Sequence, residues 1–316
     1  ISTVCNRLIN YDLFTPVLSN QQSFANSSRS LGLELERLYR SHDRVQASVD
    51  PVHLVHRYRT NADREVVGFC AAALAFGRVE SILSTLELLL AVTGPSPFEF
   101  IKSFEPNRYR QELYLIKHRW IRGIDIVALL WIIRRMIEMS GSIELFFAEG
   151  YVHEASDIGN ALESFSQRAL QIDLSIVYGK EMPITGVQYF FPKPSSGSGC
   201  KRLNLFLRWM VRKDAIDLGV WSLISKSKLI IPLDTHIVRV GQCLNLTKYR
   251  RPSWRMAVDL TASLRVFAPI DPVKYDFSLC RLGMTNSCGF RQTHQDTNCP
   301  LRGLCNPSGC KQQAAN

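Results

Sequence analysis

Gly197-Ser198-Gly199-Cys200-Lys201-Arg202-Leu203-Asn204-Leu205-Phe206-Leu207-Arg208-Trp209-Met210 is the stretch on which the reading of this chain turns. Two glycines at i and i+2 let a backbone turn tightly and come close to a ligand. A helix pattern follows, because Leu203, Phe206, Leu207 and Met210 recur at i, i+3, i+4 and i+7. The free amides at the start of such a helix form a natural phosphate site. Lys201, Arg208 and Arg212, at spacings of seven and four, share one face of that helix. A Ser-Gly linker that happens to precede a helix would look the same locally, so the surroundings decide.

Those surroundings are helical. Leu33, Leu35 and Leu38 lie on an amphipathic segment ending near His42, and Thr60 with Asp63 resembles a capping box before Val66–Ala75. A helix over Glu80–Val92 should stop at Gly94 and Pro95. Gly123–Met139 is apolar nearly all round, which predicts a fully buried central helix. Glu154–Val177 reads as one or two helices, and Tyr178–Ser198, rich in Gly, Pro and Ser, as a long loop with room for a short strand. Ile237, Val240, Gly241 and Leu244 mark a further helix, as do Leu260, Leu264 and Phe267. Asp271-Pro272 offers an N-cap with Pro at the first helical position, and Gly283 is placed to end that helix. Alternating strand patterns are nearly absent. The expectation is an all-α protein of around ten helices in two lobes.

Composition narrows the function classes. At 316 residues and 46% hydrophobic, the chain is long enough for one large or two smaller cores, and wholesale disorder is excluded. The longest apolar run, Ile126–Ile133, is far short of the roughly 20 residues of a membrane helix. No basic stretch followed by an apolar segment opens the chain, so no secretory signal is expected; it begins at Ile1 rather than Met, which leaves room for a natural N-terminus upstream. The net charge is +10, and residues 193–251 hold twelve Lys and Arg against three Asp, nearly the whole excess. A bias so localised points to a basic patch facing polyphosphate. Nine cysteines without secretory context do not suggest disulfides.

The second constellation is Pro232-Leu233-Asp234-Thr235-His236-Ile237-Val238-Arg239-Val240. Asp234 stands where an N-cap belongs, a role worth about 1 kcal/mol, and His236 reads as a packed or surface residue. Together with the glycine hairpin and its lysine, this segment resembles the HhH-GPD superfamily of base-excision DNA glycosylases, which includes the endonuclease III branch. The family's hairpin Gly-x-Gly-x-Lys is matched by Gly197, Gly199 and Lys201, and its Val-Asp-Thr-His-x-x-Arg-Val motif by Leu233–Val240. Most similar is a prokaryotic branch in which the lysine is followed by Arg-Leu-Asn and a Leu-Arg-Trp-Met segment, as at Lys201–Met210.

The resemblance implies a helix-hairpin-helix glycosylase-like fold. A helical barrel over 61–213 would face a lobe made of residues 1–60 and 214–316, with Lys201 and Asp234 meeting in the cleft. It implies catalysis by Asp234 and Lys201, and contact with double-stranded DNA through Gly197, Gly199, Arg202, Arg208, Arg212 and Arg239, by a monomer in the cytoplasm at the nucleoid. A carboxylate such as Asp234 stabilises the oxocarbenium-like sugar of N-glycosidic cleavage. A neutral lysine can add to the sugar carbon, form a Schiff base and enable strand cleavage. A base must leave the stack first, so a pocket and a wedge residue are expected. Two features depart from the family pattern. Lys201 and Asp234 lie 33 positions apart, a longer gap than usual, with extra residues around Asp217–Lys228 that would shift the site or block it. Ala75-Phe76-Gly77-Arg78 also lacks the usual Gln-containing signature.

Cys288, Cys299, Cys305 and Cys310 follow the last predicted helix. Cys299 and Cys305 match the final spacing of the family's [4Fe–4S] ligands, while Asp296 stands in the second ligand's place and Cys310 or His294 would complete the set. A [4Fe–4S] cluster, a structural zinc and no metal at all remain open. Cys70, Cys243 and Cys280 read as core. The sequence therefore admits an enzyme, a non-catalytic DNA-recognition module of the same fold in which Asp234 only caps a helix, or a metal-stabilised helical protein that binds RNA or protein.

Overall fold

The computed structural model describes residues 30–41, 50–179, 185–284 and 299–305. Among these the chain is all-helical, with two isolated antiparallel bridges, His118–Ile121 and Lys213–Leu218, and no strand. Helix α1 covers 30–40. The chain continues through α2 (Val52–Val55), α3 (Asn61–Ala73), α4 (Val79–Thr93), α5 (Pro97–Lys102), α6 (Arg110–Tyr114) and α7 (Gly123–Ser140). There follow α8 (Ile143–Ala148), α9 (Gly159–Leu170), α10 (Ser175–Tyr178) and α11 (Thr185–Phe190). The last four are α12 (Lys201–Val211), α13 (Thr235–Cys243), α14 (Trp254–Phe267) and α15 (Asp276–Met284). No described helix is long and apolar enough to cross a membrane.

Local chemistry sets the main boundaries. The Thr60 hydroxyl accepts from the Asp63 amide at 3.1 Å, and the Asp63 carboxylate accepts in turn from the Thr60 hydroxyl and from the Phe98 amide, so one cap also fixes the start of α5. Gly94, at φ +69°, ends α4 where a side chain would be strained. Helix α7 is the central element, buried from Ile126 through Ile133 except at Trp131. Leu31 and Leu35 of α1 enter the core, while Leu33 faces solvent.

Three expectations need correction. Within the segment read as a loop with a short strand, residues 185–190 form α11 and Pro194–Ser196 a 3-10 turn. Asp271-Pro272 does not open a helix: α15 begins at Asp276, and the Asp271 carboxylate is instead engaged by Arg212 at 2.7 Å. Gly283 lies inside α15, not beyond it, because α13 crosses there; a Cβ on it would stand 2.6 Å from His236 Cβ. The helices in excess of the expected ten are short ones such as α2, α5, α6, α8 and α10, each of four to six residues, too brief to show a helical period.

The start of α7 is the tightest backbone crossing. A Cβ on Gly123 would sit 2.3 Å from Tyr114 Cα and 2.4 Å from the Leu113 carbonyl, atoms of α6 that cannot rotate away. We expect Gly123→Ala to destabilise the fold by about 3 kcal/mol, measured as a lowered midpoint of chemical denaturation. A wild-type midpoint would show that α6 is free to move off α7.

Candidate functional site

The hairpin is built from a helix, a turn and a second helix. After α11 the 3-10 turn closes at Gly197, which is left-handed at φ +79°. The chain then passes Ser198 and Gly199, and Cys200 takes the left-handed conformation at φ +47° immediately before α12. Ser198 Oγ accepts from the Cys200 amide at 3.2 Å. No side chain caps the start of α12, which leaves its first amides as a potential anion site. The Gly197 carbonyl accepts from the Trp254 amide at 3.2 Å, tying the turn to the start of α14. Gly199 packs near Leu233, one residue before Asp234.

Lys201 and Asp234 line one cavity of about 340 Å³. Its apolar wall includes Pro51, Phe76, Ile82, Leu205 and Met284, and its polar wall Asp50, Arg208, Asp276 and Cys280. The extra residues between Lys201 and Asp234 do not obstruct it, since no residue from 213 to 231 borders the cavity. They fold back on the far side, where the Leu218 and Trp221 amides donate to carbonyls of α12. Trp221 Nε1 donates to the buried Glu65 carboxylate at 2.8 Å, which also accepts from the Ile143 and Glu144 amides.

Asp234 does cap α13: Oδ1 accepts from the Ile237 amide at 2.7 Å. Its other oxygen accepts from the Cys280 thiol, with Sγ–Oδ2 2.9 Å. Burial and then the Asp234 charge push that thiol well up, so it stays a protonated donor. Cys280, expected in the core, is thus a polar partner at the cavity wall. Cys70 and Cys243 are core, as expected, and His236 packs against Gly283.

The arginines expected on a phosphate-facing surface are divided. Arg208 and Arg212 do share a helix face, but that face is buried. Arg208 is engaged by Asp217 and Asp276, and Arg212 by Asp214, Asp217 and Asp271. Burial alone would lower both guanidinium pKa values, yet the facing aspartates outweigh it and hold them above the usual arginine range. Arg202 is also buried; it donates to the Ala73 and Tyr189 carbonyls and stacks 3.5 Å over the Tyr189 ring. None of the three presents its charge to solvent. Their spacing was that of a helix face, and only the fold says which face. Arg239 is exposed, as are Lys248, Arg250, Arg251 and Arg255. The Gln242 amide holds the 248–251 loop to α13 through the Tyr249 and Arg250 carbonyls.

Sequence reasoning missed Asp50, Asp276 and Trp120. Asp276 precedes Cys280 by four residues, one turn of the same helix, a spacing that was available to find it. Trp120 is 52% exposed. It stacks on Phe76 at the cavity wall with ring centroids 4.9 Å apart, and Arg119 lies over its own ring. The basic and aromatic run Lys117-His118-Arg119-Trp120-Ile121-Arg122 was its signal. Of the candidate metal ligands, Cys299 is buried and Cys305 half-buried, whereas Cys288, Cys310 and the alternative His294 lie outside the described residues. Among the described residues no three His, Cys, Asp or Glu side chains gather as a metal site.

Residues 50–285 match the family described as a protein of unknown function (DUF2400). The chain belongs to that family. The match opens on Asp50 and closes one residue beyond Met284, so every residue bordering the cavity falls within it. No curated protein and no solved structure matches the chain.

Desolvation pushes the Asp276 carboxyl up to about 7, against the usual 3.8, despite Arg208 beside it; the same cause pushes Asp217 up to about 6. The folded state therefore keeps protons that the unfolded chain has released, and these groups lose stability as pH rises from about 4 to about 7. Asp276→Asn removes that linkage. The thermal-stability deficit of Asp276→Asn relative to wild type should shrink between about pH 5 and pH 8; a deficit that is constant or widens contradicts this.

Proposed function

We propose that this protein binds double-stranded DNA across the hairpin and cleaves the N-glycosidic bond of a base flipped into the neighbouring cavity. The observation that carries this reading is the convergence of Lys201 and Asp234, 33 positions apart, on a single cavity beside an uncapped helix start. It is supported by the exposed cluster Arg239, Lys248, Arg250, Arg251 and Arg255, whose charge suits a phosphate backbone. Trp120, exposed beside the cavity, is suited to fill the space that a flipped base leaves.

In the proposed reaction the bond from the sugar C1′ to the base nitrogen breaks, and its electron pair leaves with the base. The Asp234 carboxylate stabilises the positive charge that develops on the sugar. A water oxygen or the Lys201 nitrogen then bonds to C1′, and the proton it releases balances the charge on the departing base. Attack by Lys201 would lead on through a Schiff base to strand cleavage. The resemblance also implies a [4Fe–4S] cluster on Cys288, Cys299 and Cys305, with Cys310 or His294 completing the set.

A second reading has an observation in its favour. Both Asp234 oxygens are engaged, one by the Ile237 amide and one by the Cys280 thiol, as in a purely structural cap of a non-catalytic DNA-recognition module. Borohydride trapping on duplexes with abasic, oxidised, deaminated and alkylated sites, followed by hot alkali, separates the two. We expect either an adduct that disappears in Lys201→Ala, or alkali-dependent cuts without an adduct that disappear in Asp234→Asn. Binding without product on every substrate favours the module. Duplex affinity should in both cases fall with salt at a log–log slope of about −0.9 per phosphate contacted. A flat slope rejects DNA as the partner.

A further inference from the structure

The turn from His118 to Ile121 holds two side chains out to solvent. Its ends are paired through the backbone, the His118 and Ile121 amides donating to each other's carbonyls at 3.0 and 2.9 Å. His118 is buried, and its Nε2 donates to the Phe76 carbonyl at 2.8 Å. Arg119 takes the left-handed conformation at φ +55°, which non-glycine residues keep only where the surroundings impose it. Arg119 and Trp120 are thus exposed on a fixed base. The Trp120 ring lies on Phe76, and the Arg119 stem crosses Gly77, where a Cβ would stand 3.2 Å from Arg119 Cδ. Phe76 and Gly77 both border the cavity, so the turn forms part of its rim.

The same surface continues back into α6. The Tyr114 backbone packs against Gly123, next to Arg122, while the Tyr114 side chain is exposed, and Leu115 after it is 86% exposed. Across 108–122 five basic residues are exposed, Arg108, Arg110, Lys117, Arg119 and Arg122, against the single acid Glu112. Of these, Arg122 is held by Asp125. Three others lie over rings: Arg108 at 5.3 Å from the Tyr109 centroid, Arg110 at 4.9 Å from Tyr114 and Arg119 at 5.2 Å from Trp120. A guanidinium on one face of an exposed ring leaves the other face for a planar partner. A lipid surface binds in proportion to the apolar area it covers, and here charged residues separate one exposed ring from the next. A paired duplex keeps its bases stacked inside and offers the rings nothing. An unpaired strand offers bases and phosphates in alternation, which is how rings and cations alternate here.

We propose that residues 108–122 form a platform for an unpaired DNA strand, whose bases stack on Tyr114 and Trp120 while Arg110, Lys117 and Arg119 pair with its phosphates. The strand meets the cavity at Phe76 and Gly77, so the protein favours targets in bubbles, mispaired stretches or single strands over those in a fully paired duplex. That preference rests on the glycosylase reading above; the platform itself does not.

The test follows a fluorescein-labelled oligothymidine strand by anisotropy with the full chain, beside a blunt duplex and phosphatidylglycerol vesicles. Wild type should bind the single strand, with affinity falling with salt at a log–log slope of about −0.7 per phosphate contacted. Tyr114→Leu and Trp120→Leu, which keep apolar bulk and lose the ring, should each weaken that binding about tenfold. Tyr114→Phe, which keeps the ring, should bind within about twofold of wild type. If Trp120→Leu does not fold, the two Tyr114 variants still decide the matter. No single-strand binding by wild type, unchanged binding by Tyr114→Leu, or binding of the vesicles in place of the strand overturns the inference. Excision from the blunt duplex without single-strand binding overturns it and leaves the glycosylase reading intact. Ring-dependent binding of the single strand, with no base released from any damaged duplex or bubble, supports the platform and removes the glycosylase reading instead.

Discussion

The buried ion network of α12 is the constraint on which the rest of this structure depends. Arg208 and Arg212, one turn apart, reach Asp217 in the segment after the helix, Asp271 before α15 and Asp276 within α15. Removing one partner from such a network costs about 3–5 kcal/mol, because it strands a charge in a medium that cannot solvate it. The network thereby fixes the hairpin helix, which carries Lys201, against α15, which packs along α13 behind Asp234. Two residues distant in sequence come to share a cavity because the scaffold between them has little freedom.

The network also explains why the extra residues after α12 do no harm to the cavity. Asp217 starts that segment and is bound from two sides by arginines, and Trp221 is bound by Glu65 on the opposite flank. The segment is drawn away from the cavity into packing, and Lys201 and Asp234 still border the same cavity across the 33 positions that separate them.

Much of this was legible in the sequence. The caps at Thr60 and Asp234, the central helix α7 and the period of α12 follow from local chemistry, and the cavity-facing pair was visible as two motifs. What the sequence hid were properties of faces and crossings. A row of basic residues at helical spacing looks alike whether it meets phosphate or aspartate, and Arg208 and Arg212 meet aspartate. Gly283 reads as a stop signal until α13 is found pressed against it. Asp271 reads as a cap until Arg212 claims its carboxylate. Asp50 belonged to no pattern at all, since it reaches the cavity only through the fold.

Asp234 either stabilises the developing sugar cation or serves only as the cap of α13. The direct measurement is the release of free base, by chromatography, from damaged duplexes under single turnover, for wild type and for Asp234→Asn at a temperature where both are folded. The wild type should release the base, and Asp234→Asn should lose release while still binding the duplex. Release at the wild-type rate by Asp234→Asn, or binding without release by the wild type on every lesion, would contradict it.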